Sequence, residues 1–418
     1  MNRREFLKTT AAIAAFAPIA GMAQDAAPAA KIEKPADKAE SDKKQVSRRA
    51  YRGTDMTLPL LGFGMMRLPQ TADEKIDYAT GEKMVAKAME SGCNYFDTAY
   101  MYHNGESEKF AGEVLSKYPR ESYYLTSKMP IVMMNAEADN ERIFKEQLER
   151  TKAGYFDFYF LHWLNAAHWK KAKEIKTLDF LKRMKAEGNI RHIGFSFHGE
   201  PETLKEIAES YPWELVQIQL NYLDWELCRS GEQYDVLTKL GIPVSIMEPL
   251  KGGTLVRLTP ESKKIFDEAN PKVSTASWGL RYAASLPNVQ VVLSGMSDMA
   301  QLEDNIKTFT PMVPLTEAER TTISQALAAY RKSGAVPCTA CRYCSPCPFG
   351  VDIPRNLALL NQVKGGLPLF HAKLVYDAMT EKERASSCVG CGACKKKCPQ
   401  HVPTTRRKKS IRRKSMRT

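Results

Sequence analysis

Eight times between Leu60 and about residue 310 the sequence passes from a short apolar run into a longer amphipathic stretch, and this alternation constrains the fold more than any other feature. Short runs rich in Val, Ile, Tyr and Phe read as strands, and the 3.6-residue periodicity between them reads as helices packed on a parallel sheet. Strands are expected at 60–65, 94–98, 123–129, 157–163, 190–197, 215–220, 243–247 and 289–294. Helices are expected at stretches such as 106–118, 136–152, 172–187, 201–211 and 299–309. Eight β/α units in roughly 260 residues match the size of a closed barrel, with an open doubly wound sheet as the alternative. No Gly-x-Gly-x-x-Gly follows the first run, so the fingerprint of the open nucleotide-binding sheet is missing. The fold class read from the pattern is α/β: a (β/α)8, or TIM, barrel over residues 51–334, followed by a small C-terminal module.

The chain is longer than one ordinary domain, at 418 residues. Its formal charge of +13 is concentrated at the two ends. Residues 1–50 hold ten Lys/Arg against six Asp/Glu, and residues 404–418 hold eight Lys/Arg and no acid. The body between is close to neutral, which gives no reason to expect nucleic acid as a partner. Asn2-Arg3-Arg4-Glu5-Phe6-Leu7-Lys8, an apolar run from Ala11 to Ala23 and the small residues Gly21-Met22-Ala23 resemble a twin-arginine export signal over residues 1–23. That resemblance implies export of a folded protein to the periplasm. The apolar run is too short to span a bilayer, so no transmembrane segment is expected in the mature chain. Residues 24–50 lack apolar periodicity and read as a disordered linker. Residues 404–418 form an abruptly basic tail, readable as a frameshift or as a solvated segment that meets anionic surfaces.

Eight of the ten cysteines lie beyond residue 337, in two tight groups within residues 335–403. A disulfide framework spreads its half-cystines over the fold it staples, so this grouping reads as metal ligation. Cys93 and Cys228 stand apart and read as buried small residues. The first group is Cys338-x2-Cys341-x2-Cys344-x2-Cys347-Pro348; the second is Cys388-x2-Cys391-x2-Cys394-x3-Cys398-Pro399. Zinc ribbons also use Cys-x2-Cys pairs, but four thiolates satisfy a zinc ion and here each run of four closes on a proline. The second group matches the two-cluster ferredoxin pattern, and the first is one residue shorter before its last cysteine. The resemblance implies a ferredoxin-type module with two [4Fe–4S] clusters. One would take Cys338, Cys341, Cys344 and Cys398, the other Cys347, Cys388, Cys391 and Cys394, because the fourth cysteine of each group ligates the other cluster.

Active groups of such barrels stand at the C-terminal ends of the strands. There the sequence places Asp97 and Tyr102, Lys128, and His162. Gly92-Cys93-Asn94-Tyr95-Phe96-Asp97-Thr98-Ala99, followed by Tyr102, Gly105 and Ser107-Glu108, then Thr126-Ser127-Lys128 and Leu161-His162, resembles the aldo/keto reductases over about residues 50–315. Independently of the family, a carbonyl that accepts hydride needs a proton donor and a stabilised oxygen. Tyr102 is read as the donor and Lys128 as the cation that lowers its pKa, with Asp97 holding Lys128 and His162 orienting the carbonyl.

The resemblance further implies an NADP(H) site, with NAD(H) as the alternative. Ser196 and Gln217 would hold the nicotinamide amide, and Gly295, Gln301, Asp304 and Asn305 would meet the adenosine end. Two positions depart from the family. Met247 stands where relatives stack an aromatic ring, and Gly295 and Gln301 stand where relatives place Lys and Arg on the 2′-phosphate. Gly252-Gly253 is read either as a close approach to pyrophosphate or as an ordinary turn. Trp163, Trp225 and His198 are loop residues at the mouth, read equally as substrate contacts or rim packing. The expected function is carbonyl reduction or alcohol oxidation on a small molecule, with clusters that stabilise the protein or relay electrons to a redox partner. The alternative is a non-catalytic electron-transfer or assembly subunit. No flavin motif is visible to split a hydride into single electrons.

Overall fold

A computed structural model describes residues 45–51, 54–365, 367–400 and 402, and the backbone of Ile32–Glu33. The twin-arginine segment, nearly all of the expected linker and the basic tail lie outside the described residues. Eight parallel strands close into a barrel: β1 (Leu61–Gly64), β2 (Tyr95–Asp97), β3 (Tyr124–Met129), β4 (Phe156–Leu164), β5 (Ile190–Phe197), β6 (Leu215–Gln219), β7 (Val244–Met247) and β8 (Val289–Ser294). Each pairs with its sequence neighbour, and β8 closes on β1 through Val292 opposite Leu61. All eight expected strands are present, with ends shifted by a residue or two.

The two-residue period of a strand sorts its side chains between the barrel interior and the helical layer. Low in the interior, Tyr95, Phe158, Phe160, Leu215, Val291 and Leu293 form one apolar cluster. One step higher on the same faces come Asp97, Lys128, His162, Ser196 and Gln217, so the alternation that fills the lower interior also raises a polar layer above it. Close packing leaves no room for a side chain at Gly194, where a Cβ would sit 2.0 Å from the Leu215 carbonyl oxygen. The helical layer packs on the outer faces, where Phe63, Phe96, Leu125, Tyr159, Ile193 and Val292 belong to the large outer cluster.

Two expectations need correction. The expected linker boundary at residue 50 is late, because Val46, Ser47 and Arg49 are buried and Arg48–Ala50 pairs antiparallel with Thr57–Pro59. Ile32–Glu33 adds to this sheet antiparallel to Arg48 and Arg49. The hairpin closes the bottom of the barrel: Leu58 and Tyr51 join the interior cluster, and the Tyr51 ring meets Phe158 edge-on at 5.7 Å. A strand this short, with Arg at two of its three positions, has no apolar period to read. The expected helix at 172–187 is two helices, Ala166–Glu174 and Thr177–Ala186, separated at Lys176, whose φ is +52°. No Gly or Pro marks that break.

The helix Glu317–Ser333 opens with a Thr316/Glu319 capping box and ends at Gly334, where φ of +67° suits a residue without Cβ. Beyond it the cysteine module has its own small core of Val336, Val351, Ile353, Leu357, Cys394 and Val402, covered by the helix Ile353–Lys364. Among the described residues no helix is long and apolar enough to cross a membrane.

The Arg49 guanidinium, 2% exposed, donates to the carbonyls of Ala284, Leu286, Pro287 and Val289 and so ties the hairpin to the start of β8. Arg49→Ala is expected to cost roughly 3 kcal/mol or more, because four buried acceptors lose a charged donor. Chemical unfolding of the two proteins checks it, and an unchanged midpoint contradicts this role.

Candidate active site and cysteine centre

The polar layer is organised around one buried ammonium. Lys128 Nζ donates to Asp97 Oδ1 at 2.6 Å, to the Thr98 carbonyl at 2.8 Å and to the Tyr102 hydroxyl at 3.2 Å. All four of the expected tetrad residues converge, since the Tyr102 and His162 rings meet edge-on at 5.8 Å. Asp97 is fixed from its other oxygen by Gln217, whose Nε2 donates at 3.0 Å. Beneath the lysine, Glu108 accepts from Ser127 and Gln147, and Gln147 also donates to the Lys128 carbonyl. Burial pulls the Lys128 ammonium below its usual range, opposed by the charge and hydrogen bond of Asp97.

The expectation that Lys128 lowers the phenol pKa is not met in the free protein. Burial, then the charges of Asp97 and Glu248, hold the Tyr102 phenol well above its ordinary value, so its proton stays on oxygen across neutral pH. Burial, then the Lys128 charge, holds His162 well below its ordinary value, so the imidazole is neutral, and its Nδ1 is buried without a partner.

Asp97, Tyr102 and His162 form the floor of a cavity of about 790 Å³, with Lys128 behind them. Ser196, Gln217, Met247, Gly295, Gln301, Asp304 and Asn305, expected at the cofactor, all line it. Several are already engaged within the protein. Ser196 accepts from the Trp163 amide, Asp304 from the Ser274 hydroxyl and Gln301 from the Ser297 amide, while Asn305 donates to Ser294. His198 lines the cavity, whereas Trp225 packs instead near Tyr234 and Tyr282.

Sequence reasoning missed part of the lining: Arg67, Glu248, Arg257 and Lys263 from the barrel, and Thr339, Cys341, Tyr343 and Gln400 from the cysteine module. Glu248 directly follows Met247 at the end of β7, and a carboxylate at a strand end was a readable signal. The module residues carried none, because their positions depend on docking. That docking is polar and buried. Lys251 Nζ donates to Asp224 at 2.5 Å and to Gln400 Oε1 at 2.6 Å, and Gln219 and Gln400 exchange hydrogen bonds at 2.6 and 2.9 Å. Gly252 has φ of +59°, and a Cβ there would lie 2.6 Å from the Thr339 carbonyl. Gly252 thus lets the barrel loop approach the module backbone, whereas Gly253, with φ of +82°, faces the Arg257 side chain of its own loop.

The eight module cysteines are all unbridged. Cys338, Cys341 and Cys398 are near enough to Cys344 for their charges to add to burial in pushing its thiol up to about 11. Cys347, Cys388, Cys391 and Cys394 line a second, small cavity beside Cys344. Cys398 thus lies with the first group and Cys347 with the second, the grouping expected from the ferredoxin pattern. Among the described residues no three His, Cys, Asp or Glu side chains converge as a single-ion site requires.

Comparison with known proteins agrees with this geometry. Residues 60–328 match the aldo/keto reductase family and residues 337–403 match a 4Fe-4S dicluster domain. The chain belongs to the aldo/keto reductase family and is an oxidoreductase of that type. It is 26% identical to L-galactose dehydrogenase of Arabidopsis thaliana over 65% of this chain and 90% of the relative. It is 27% identical to the NADH-specific methylglyoxal reductase of Escherichia coli over 48% of this chain and 67% of the relative. Among solved structures, the holo form of an aldo-keto reductase from Bacillus halodurans superposes with a TM-score of 0.57 at 24% identity, covering 68% of this chain and 96% of that one. A Klebsiella pneumoniae aldo-keto reductase in complex with NADPH gives 0.55 at 19% identity, covering 66% and 92%, and shares the fold.

A histidine held neutral by folding lowers stability wherever the unfolded chain would protonate it. The His162 pKa is depressed in the fold, so its contribution falls as pH drops below the unfolded value near ~6.5, approaching about 1.4 kcal/mol per pH unit. His162→Gln removes this component. Urea unfolding at pH 7.5 and 5.5 is expected to show a smaller loss at low pH in the variant than in wild type, and equal losses contradict a neutral His162.

Proposed function

We propose that the protein catalyses NADP(H)-dependent reduction of a small-molecule carbonyl, or the reverse oxidation of an alcohol, in the barrel cavity. The observation that carries this reading is Lys128 Nζ, bonded at once to Asp97 and to the Tyr102 hydroxyl on the cavity floor. Bound NADPH supplies the hydride. Tyr102 holds a proton on its phenol oxygen and delivers it to the carbonyl oxygen as negative charge develops there. Lys128 stabilises the phenolate left behind, Asp97 keeps the ammonium in place, and the neutral His162 donates a hydrogen bond that orients the carbonyl.

Ser196 and Gln217 are the groups to receive the nicotinamide amide, with Met247 against the ring. Gly295, Gln301, Asp304 and Asn305 are the groups to surround the adenosine. Arg67, Arg257 and Lys263 line the same cavity and supply positive charge that Gly295 and Gln301 lack, which favours NADP(H) over NAD(H). The module takes two [4Fe–4S] clusters, one on Cys338, Cys341, Cys344 and Cys398 and one on Cys347, Cys388, Cys391 and Cys394. The twin-arginine pattern at residues 2–8 supports a periplasmic enzyme exported with these groups in place. A redox partner protein is compatible with the module, whereas a subunit without turnover would have no use for a phenol and a neutral imidazole on one cavity floor with an ammonium bonded to the phenol from behind.

Tyr102→Phe removes the donor hydroxyl and leaves the ring. The turnover number for NADPH-dependent aldehyde reduction is expected to fall by at least ~10²-fold, the usual worth of a positioned acid. NADPH affinity, read by fluorescence, stays near wild type. Undiminished turnover contradicts the assignment.

A further inference from the structure

The reductase cavity is not closed by the barrel alone. Its roof comes from Thr339, Ala340, Cys341 and Tyr343 of the first cysteine loop and from Pro399 and Gln400 beside the last cysteine. Within that roof, the Tyr343 ring lies on Trp163 with centroids 4.3 Å apart and planes 17° from parallel. Trp163 follows His162 and has φ of +58°, a conformation that needs support from its surroundings. Tyr343 therefore lines the same cavity as Tyr102 and His162, seated on the residue that follows His162. It is half-buried, and Tyr102 is near enough to add to burial in holding the Tyr343 phenol above its ordinary range.

The loop that carries Tyr343 is built in an unusual way. Thr339, Ala340 and Tyr343 alternate with Cys338, Cys341 and Cys344, and both Ala340 (φ +53°) and Arg342 (φ +61°) are left-handed without being glycine. Such backbone persists only where its surroundings over-determine it. The barrel holds the start of the loop, through Arg67 on the Thr339 carbonyl at 2.9 Å and Thr254 on the Cys338 carbonyl at 3.1 Å, and meets its far end where Tyr343 stacks on Trp163. Between these contacts the Arg342 carbonyl accepts from the Ser345 amide, and the left-handed residues are flanked by Cys338, Cys341 and Cys344, whose ligation would fix three further points of the backbone.

We propose that Tyr343 is a specificity-determining residue of the reductase cavity, and that ligation of Cys338, Cys341 and Cys344 is what holds it over the substrate. The first cluster then forms part of the substrate wall: intact, it confines the site to small carbonyls, and its loss opens the roof. This inference rests on the cavity being the carbonyl site, and it requires no single-electron step, so hydride transfer and cluster chemistry need not exchange electrons.

The test is calorimetric binding of propanal, benzaldehyde and 2-naphthaldehyde to the full-length holoenzyme saturated with NADP+, alongside turnover. Wild type is expected to bind the two smaller aldehydes and discriminate against 2-naphthaldehyde. Tyr343→Ala gains about tenfold in affinity for 2-naphthaldehyde, the scale on which one wall of a hydrophobic pocket discriminates. Tyr343→Phe keeps the ring and the wild-type profile. Wild type stripped of iron by an oxidant and chelator, with its fold verified by circular dichroism, behaves like Tyr343→Ala. An unchanged size profile in Tyr343→Ala overturns the role of Tyr343, and an unchanged profile in the stripped protein overturns the role of ligation. Altered binding in a wild type that turns over none of the aldehydes keeps the wall and instead defeats the catalytic reading.

Discussion

The upper half of the barrel depends on a single buried charge. An ammonium inside a barrel of packed aromatic side chains is tolerable only if opposite charge and hydrogen-bond acceptors meet it there, and breaking such a pair costs about 3–5 kcal/mol. Lys128, fully buried, finds Asp97 and the Thr98 carbonyl on the neighbouring strand and leaves its third donor for Tyr102. The same demand explains Gln217, which holds the second Asp97 oxygen from the far side of the barrel. In the proposed reaction structure and chemistry coincide here: the phenol that satisfies the ammonium at rest is the group the ammonium would stabilise once its proton is given up.

A second buried ion pair plays the corresponding part between barrel and module. Lys251 and Asp224 are both fully enclosed; Gln219 and Asn221 donate to the second Asp224 oxygen, and Lys251 finds a further acceptor in Gln400, two residues after Cys398. The end of the second cysteine group is thereby anchored to the loop after β7, while the first group reaches across the cavity to Trp163. The module is seated on the catalytic face of the barrel, and its sulfur-bearing loop and its cavity-lining loop are the same stretch of chain.

Much of this was legible beforehand because it is periodic or motif-like. The strands β1 to β8 follow from apolar runs, and Asp97, Lys128 and His162 follow from their positions at strand ends. The cross-exchange of Cys347 and Cys398 follows from a spacing pattern. What escaped has a physical reason in each case. Arg48–Ala50 is too short and too charged to show a period. The break at Lys176 carries no Gly or Pro. The rise in the Tyr102 pKa reflects burial, and the sequence names the nearby charges without the depth at which they sit. Tyr343 and Gln400 occupy variable positions inside cysteine spacings, where only docking of the module reveals that they line a cavity.

Diffraction from anaerobically grown crystals of the holoenzyme with NADP+, recorded across the iron absorption edge, tests the account most directly. The account predicts two iron peaks, one enclosed by Cys338, Cys341, Cys344 and Cys398 on the cavity roof, and a nicotinamide ring in the cavity beneath Tyr343 and beside Tyr102. A single zinc signal in the module, or a nicotinamide bound away from Tyr102, contradicts it.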